Sequence, residues 1–248
     1  MRHLYLSLVL LVVCIVPSPA QTPSASAFQQ QAQTALFAGR TYSALTLTAT
    51  AEWTAGSLHQ SGTAQLQAKA DGSNNFQLVV GSASRTEMQT KSDASRTCAW
   101  TDAAGTSHNI VGPNCMVAIP WFAPSLFSQS LAVLPSLLAT TDDGPVSKDG
   151  ATLHQISYLL NLQGMNSAFT SQMVSQSTMK VFYDPQTFLP ASLEYFIHPD
   201  GNNLQNIPVR VVFSNYQPIS GVMLPFSIER YVNRSLQLTL NITNATIQ

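Results

Sequence analysis

Strict alternation of apolar and polar residues over long stretches is the feature that most limits the folds open to this chain. In LTLTATAEW, residues 45–53, every second residue is Leu, Ala or Trp, and Thr or Glu stands between them. The same period of two recurs in residues 63–70 and 76–80 and again in residues 236–242. Because successive strand side chains point to opposite faces, the pattern predicts an antiparallel sheet with one apolar and one solvated face.

Other elements follow from shorter signals. Residues 26–39 form an amphipathic helix pattern: Ser26 and Gln29 make a capping box, Gly39 supplies a stop, and one stripe carries Phe28, Ala32, Ala35 and Leu36. Residues 142–150 are predicted to be a polar loop, and residues 166–177 fit either a helix or a loop. Further strands are predicted at 86–91, 96–101, 106–111, 152–162, 179–183, 189–197, 209–216 and 224–231. No repeat or long linker divides the chain, so we predict one α+β domain with helices on the apolar face of a large antiparallel sheet.

Residues 120–139, PWFAPSLFSQSLAVLPSLLA, break the alternation and are called the lid segment below. They lie inside Ala103–Thr141, a stretch without Asp, Glu, Lys or Arg. Apolar side chains recur in the segment at helical spacing, at Phe127, Leu131, Leu134 and Leu138. Pro135 removes a backbone donor, so we predict a helix from about Pro124 to Leu134 and a short turn after it. So many exposed large side chains would exceed the apolar patch of a soluble monomer, and the segment must therefore cover the apolar face of the sheet.

The N-terminus, MRHLYLSLVLLVVCIVPSPAQ, has the pattern of a signal peptide. An early Arg precedes an apolar run, Leu4–Val16, and small residues precede a cut after Ala20. A retained membrane anchor is one alternative, but the run is shorter than the roughly 20 residues of a span. Lipidation at Cys14 is another, although Val13 stands where a lipobox has Gly, Ala or Ser. We predict residues 1–20 as a signal peptide, export to the periplasm, and no membrane span after cleavage.

Charge gives no reason to expect a polyanionic partner. Only 9% of the 248 residues are charged, and the formal net charge is −1. Such a chain has no electrostatic field that would attract nucleic acid or an anionic membrane surface. We therefore predict no nucleic-acid partner, and the sequence sets no oligomeric state.

Two cysteines, Cys98 and Cys115, remain once the signal peptide is removed. An even number of cysteines in an oxidising compartment favours a disulfide, with two buried thiols as the alternative. Neither has a second Cys or a His at zinc-ligand spacing.

Motifs of catalysis are absent from the sequence. It contains no G-x-S-x-G, H-E-x-x-H, G-x-G-x-x-G or phosphate-binding loop. The histidines after the signal peptide stand alone, and most aspartates lie in turn sequences. Four glutamates are predicted on the face opposite the apolar residues: Glu52, Glu87, Glu194 and Glu229. We predict no enzyme, no cofactor and no metal.

The C-terminal part resembles the outer-membrane lipoprotein-sorting carriers, the LolA-like family. The resemblance lies in KVFYDPQTFLPASLEYF, residues 180–196, with an aromatic–Asp–x–x–Thr–x–Leu–Pro hairpin, and in IPVRVVFSNYQPISGVMLPFSIERYVN, residues 207–233. It implies a single domain, residues 21–248, that forms a strongly curved antiparallel half-barrel with helices over its apolar concave face. Where the carriers have a Lys-Arg-Pro cluster whose arginine latches the lid, this chain has Lys69–Gly72 and no arginine.

In such carriers the interior receives an acyl chain of a lipid or a lipoprotein, and we expect the same ligand class here. The sheet side of the pocket would then be lined by Trp53, Leu66, Phe76 and Leu78. The lid side would be lined by Trp121, Phe122, Phe127, Leu131 and Leu134. The alternative is an envelope protein-interaction or sensing module on the same fold, with a filled core and no ligand.

Leu131→Asp tests whether the lid segment lines a pocket. A carboxylate there would abolish uptake of a fluorescent fatty acid while the far-UV circular dichroism of the strands survives, because burying a charge in an acyl pocket is costly. Global unfolding of the variant would instead make Leu131 an ordinary core residue.

Overall fold

The computed structural model describes residues 25–92, 95–110, 114–115, 121–125, 138–160, 167–199, 201–202 and 204–248. Its described residues form two helices, α1 (Ala25–Phe37) and α2 (Ser167–Ser177), and thirteen strands. The first six strands are β1 (Ala44–Ala55), β2 (Leu58–Lys69), β3 (Asn74–Val80), β4 (Ala83–Ser92), β5 (Ser95–Thr101) and β6 (Ser107–Asn109). The remaining seven are β7 (Leu138–Lys148), β8 (Ala151–Leu160), β9 (Met179–Tyr183), β10 (Pro190–Ile197), β11 (Ile207–Ile219), β12 (Val222–Val232) and β13 (Ser235–Ile247).

All thirteen strands belong to one antiparallel sheet in the order β6-β5-β4-β3-β2-β1-β13-β12-β11-β10-β9-β8-β7. The first and last strands, β1 and β13, pair at its centre, and hairpins extend outward from them on both sides. Among the described residues the sheet does not close, because β6 and β7 are its two edges. The chain between β6 and β7 must therefore pass from one edge of the sheet to the other.

Register places the apolar residues of neighbouring strands side by side. Leu66 of β2 pairs with Leu47 of β1 and with Phe76 of β3, and Ala51 of β1 pairs with Leu240 of β13. These residues are buried, and together they define the buried face of the sheet. The opposite side is the outer face. The period-two prediction is confirmed for these strands.

Helix α1 packs on the buried face. Its buried stripe is Phe28, Ala32, Leu36 and Phe37. The ring of Phe28 stacks on His154 of β8, with 3.7 Å between ring centroids, and lies 5.5 Å from the ring of Tyr183. Gly39 has a φ of +77°, the left-handed conformation that ends a helix without strain. The predicted N-terminal helix is confirmed.

Two predictions in the middle of the chain need correction. Residues 142–150 are not a loop: β7 extends through them to Lys148 and pairs with β8, with a bulge between Asp142 and Gly144. The polar composition misled the prediction because β7 is an edge strand, where charged residues and bulges discourage further pairing. The second correction concerns the end of the lid segment: it was predicted to run to residue 139, but β7 begins at Leu138. Residues 166–177, for which helix and loop were both open, contain the helix α2. Residues 1–20 and 126–137 lie outside the described residues.

Cys98 and Cys115 form the predicted disulfide, which excludes the alternative of two thiols. Cys98 lies on β5, and both cysteines are buried. The bond ties the chain that leaves β6 to the strand next to that edge.

Reduction of this disulfide should lower the free energy of unfolding. The cysteines are 17 residues apart, so the chain-entropy model gives about 3 kcal/mol. Urea unfolding of residues 21–248 with and without dithiothreitol measures it. The Cys98→Ser/Cys115→Ser variant is the control, since reductant should not change its midpoint; an unchanged wild-type midpoint would contradict the stabilising role.

Candidate ligand-binding cavity

Two anchors hold the chain that leaves β6 across the buried face. The Cys98–Cys115 disulfide is one. The other is beside it: the Asn114 side chain donates to the carbonyl of His198 at 2.7 Å and accepts the His198 backbone N–H at 2.7 Å. His198 follows β10 and is buried, and its Nε2 lies 2.9 Å from Oδ1 of Asn206. Residues 114–115 therefore bridge β5 to the end of β10, on opposite halves of the sheet.

Residues 121–125 continue over the same face. Trp121 packs edge-on against Phe76 of β3, with 5.4 Å between centroids, and against Phe122 at 5.5 Å. The guanidinium carbon of Arg230, on β12, lies 5.0 Å from the centre of the Trp121 ring. One indole thus contacts both halves of the sheet. A hydrogen bond between the hydroxyls of Ser125 and Tyr42 fixes the far end of this stretch.

Beside Trp121 lies a cavity of about 400 Å³. One wall comes from β4 and β5, the other from β10, β11 and β12, and residues near the two anchors complete it. Its lining is Arg85, Glu87, Trp100, Ile110, Asn114, Trp121, Tyr195, Ile197, His198, Pro199, Ile207 and Arg230. The volume lies at the lower end of the range of small-molecule pockets, roughly 300–1,000 Å³.

Charged residues enter this cavity from the buried face, which corrects the position predicted for Glu87. Register pairs Glu87 of β4 with Phe76, so that its side chain lies on the buried face rather than opposite it. Nε of Arg85 donates to Glu87 Oε1 at 2.8 Å, and the Arg85 guanidinium lies 4.2 Å from the centre of the Trp100 ring. The buried face is therefore apolar at its centre and charged toward the β4–β6 edge.

Arg230 is the charge that the other wall contributes. It pairs with Val211 and Leu238, two buried residues, and its Nε is buried without a hydrogen-bond partner among the described residues. Burial lowers its pKa, but attraction to Tyr195 and Glu87 outweighs burial and raises it. The guanidinium is therefore charged where it lines the cavity.

The structure brings together only part of the predicted pocket. Leu66, Phe76 and Leu78 are buried in the same core as Trp121 and Phe122, and Trp53 packs against that core while partly exposed. Of these six residues, Trp121 alone is on the cavity wall. The predicted lid residues Phe127, Leu131 and Leu134 lie outside the described residues.

Sequence reasoning missed the charged and aromatic wall. For Arg230 a signal existed: it stands two residues after Ile228, which is buried, so the period of two places both on one face. For Glu87 the alternation predicted the wrong face: the apolar neighbour Met88 was expected on the buried face, but Met88 is exposed and Glu87 lies inward. No sequence pattern indicated that β4 and β12 would line the same cavity.

Among the described residues no group of three or more His, Cys, Asp or Glu is arranged to hold a metal ion. No helix in the described part of the chain has the length and hydropathy needed to cross a membrane.

Comparisons with known proteins identify the fold. No protein-family model and no curated protein matches the sequence. Among solved structures, an outer membrane lipoprotein-sorting protein domain from Vibrio parahaemolyticus matches with a TM-score of 0.55 and 8% identity, over 89% of this chain and 91% of its own. A DUF1329 family protein from Desulfovibrio piger matches with a TM-score of 0.54 and 10% identity, over 92% of this chain and 94% of its own. A LolA superfamily protein from Nitrosomonas europaea matches with a TM-score of 0.50 and 9% identity, over 91% of this chain and 94% of its own. The chain has the LolA-like fold, and the resemblance predicted from residues 180–233 is confirmed at that level.

Burial raises the pKa of Tyr195 above its ordinary value of 10.0, and the Arg230 guanidinium opposes that rise. The folded state thus holds the phenolic proton more tightly than the unfolded chain. The resulting stability is complete below pH 10.0 and is lost as the pH rises through the folded pKa. Urea midpoints measured between about pH 8 and pH 11 should fall more steeply above the unfolded pKa for the wild type than for Tyr195→Phe. Equal slopes would contradict the contribution of Tyr195.

Proposed function

We propose that this chain is an exported, non-enzymatic carrier or binding protein of the cell envelope that takes up a lipid with an acyl chain and an anionic head group. The LolA-like fold supports the ligand class, because two of the similar structures are described as a lipoprotein-sorting domain and a LolA superfamily protein. The observation that carries the proposal is the cavity beside Trp121, where a buried apolar face meets an inward-facing arginine.

An acyl chain fits the apolar side of this arrangement. The apolar part of the lining includes Ile110, Ile197 and Ile207, and contact of these side chains with a hydrocarbon chain removes apolar surface from water at about 25 cal/mol per Å². Trp121 stands at the boundary between the cavity and the buried apolar core. The predicted lid residues Phe127, Leu131 and Leu134 would complete the enclosure of the chain.

The charged side of the cavity fits the head group. Arg85 and Arg230 carry two positive charges on the wall, and Glu87 carries one negative charge. The surplus of one positive charge matches a carboxylate or a phosphodiester. The Arg230 guanidinium on the cavity wall offers such an oxygen a charge-assisted hydrogen bond.

Export to the periplasm is part of the proposal. The signal-peptide pattern of residues 1–20 and the Cys98–Cys115 disulfide both suit an oxidising compartment outside the cytoplasm.

A second candidate function is an envelope protein-interaction or sensing module with a filled core. The favouring observation is that α1, Trp121 and Phe122 already bury much of the apolar face: Leu36, Leu66 and Phe122 are each 0% exposed. On this reading the cavity is a polar cleft at the rim of a packed interior.

Arg230→Gln should weaken binding of oleate to residues 21–248 about tenfold and leave binding of oleyl alcohol nearly unchanged. The reason is that one charge-assisted hydrogen bond, about 1.4 kcal/mol or more, is lost only with the anionic ligand. Displacement of a fluorescent fatty acid measures both affinities. Lys69→Gln, which removes an exposed cation on β2, is the matched control and should change neither.

Lipid mass spectrometry of the folded protein, purified from a Gram-negative periplasm, separates the two candidate functions. A stoichiometric phospholipid, fatty acid or lipoprotein acyl signal identifies the carrier and its ligand class. Protein that carries no lipid and does not take up added oleate would refute the carrier and favour the filled-core module.

A further inference from the structure

A second cavity lies on the outer face of the sheet, on the other side of the strands from the proposed lipid site, and Tyr195 belongs to both linings. Register aligns Lys180 of β9, Glu194 of β10, Arg210 of β11 and Tyr231 of β12 in one row. Their neighbours in sequence, such as Val181 and Leu193, are buried on the other face. The two faces therefore carry separate sites on the same strands.

This outer cavity has a volume of about 390 Å³. Its lining combines charged, hydroxyl and apolar groups: Thr178, Lys180, Glu194, Tyr195, Phe196, Pro208, Val209, Arg210, Tyr231 and Arg234. Phe196 and Pro208 are register partners, so that they form one continuous apolar patch in the wall.

The charges around this cavity are unevenly paired. Lys148 Nζ lies 2.5 Å from Glu194 Oε1, and Arg210 forms an ion pair with Asp149. Lys180 and Arg234 have no ion-pair partner among the described residues, and Arg210 Nε is buried without a hydrogen-bond partner among them. Two positive charges thus face the cavity uncompensated.

The position of Arg234 is costly for the backbone. Asn233 and Arg234 form the two-residue turn between β12 and β13, with φ values of +50° and +68°. Glycine is preferred at the second position of such a turn, and another residue in the left-handed region costs roughly 1–2 kcal/mol. The Asn233 N–H donates to the carbonyl of Pro208 at 2.8 Å, which fixes the turn against the cavity wall.

We propose that the outer cavity binds a small organic carboxylate that carries an apolar group. Lys180 and Arg234 supply the positive charge that attracts the carboxylate, and the apolar group contacts Phe196 and Pro208. Glu194 on the same wall favours a single negative charge over a phosphate dianion. The carboxylate belongs either to a free acid or to the C-terminus of a peptide.

Titrations of isotope-labelled residues 21–248, followed by nuclear magnetic resonance, test the site. The probes are N-acetyl-phenylalanine, 3-phenylpropionate and the neutral N-acetyl-phenylalaninamide. We expect either acid, and not the amide, to shift the backbone amides of residues 178–180, 194–196, 207, 209 and 210. Binding of N-acetyl-phenylalanine alone would assign the site to a peptide C-terminus, and equal binding of both acids would assign it to a free acid.

Variants separate binding from folding. Lys180→Gln should weaken binding about tenfold, because one charge-assisted contact is lost, whereas Lys69→Gln on β2 should have no effect. Arg234→Gly should also weaken it about tenfold while keeping or raising the urea midpoint, since glycine suits the positive φ. Unchanged affinity in both cavity variants, shifts confined to residues around Trp121, or tighter binding of phenyl phosphate than of either acid would overturn the proposal.

Discussion

The crossing between the two edges of the sheet is the constraint on which the rest of this structure depends. In the part of the chain that the structure describes, thirteen strands form one sheet with β6 and β7 at its edges, and the chain that joins them has to pass from edge to edge. It is held by a covalent bond at Cys98 and by the Asn114–His198 hydrogen bonds on the opposite half. These two anchors on one side of Trp121, and the hydrogen bond between the Ser125 and Tyr42 hydroxyls on the other, hold Trp121 between β3 and β12.

That position of Trp121 explains why the cavity exists where it does. The indole packs against Phe76 on one side and lies under the Arg230 guanidinium on the other, so it separates a dry apolar core from a charged rim. Burying a cation beside such a core is costly unless it has compensating partners. Here the ring face, Tyr195 and Glu87 supply them in part, and Arg230 Nε stays without a partner among the described residues. An anionic head group in the cavity would add a further compensating charge beside the Arg230 guanidinium.

The sequence was sufficient for those parts of the fold in which local pattern and burial agree. In β1 to β3 and β13 the alternation matches the buried face, and α1 combines an apolar stripe with a glycine stop. It was insufficient in β4, where Glu87 is inward and Met88 outward, because the inner face of that strand lines a polar rim. It failed in β7 because an edge strand can be polar on both faces. The candidate site combines residues of β4, β5 and β10 to β12, whose approach is set by the curvature of the whole sheet rather than by any local motif.

Because side chains alternate between faces, the pair β10 and β11 carries buried residues on one face and charged residues on the other. Tyr195 and Val209 are register partners on the buried face, and the residues next to them, Glu194 and Arg210, are register partners on the outer face. A shift of β10 by one residue would exchange the two sets and place Glu194 in the core. The register is therefore fixed by burial on one side and by ion pairs with Lys148 and Asp149 on the other.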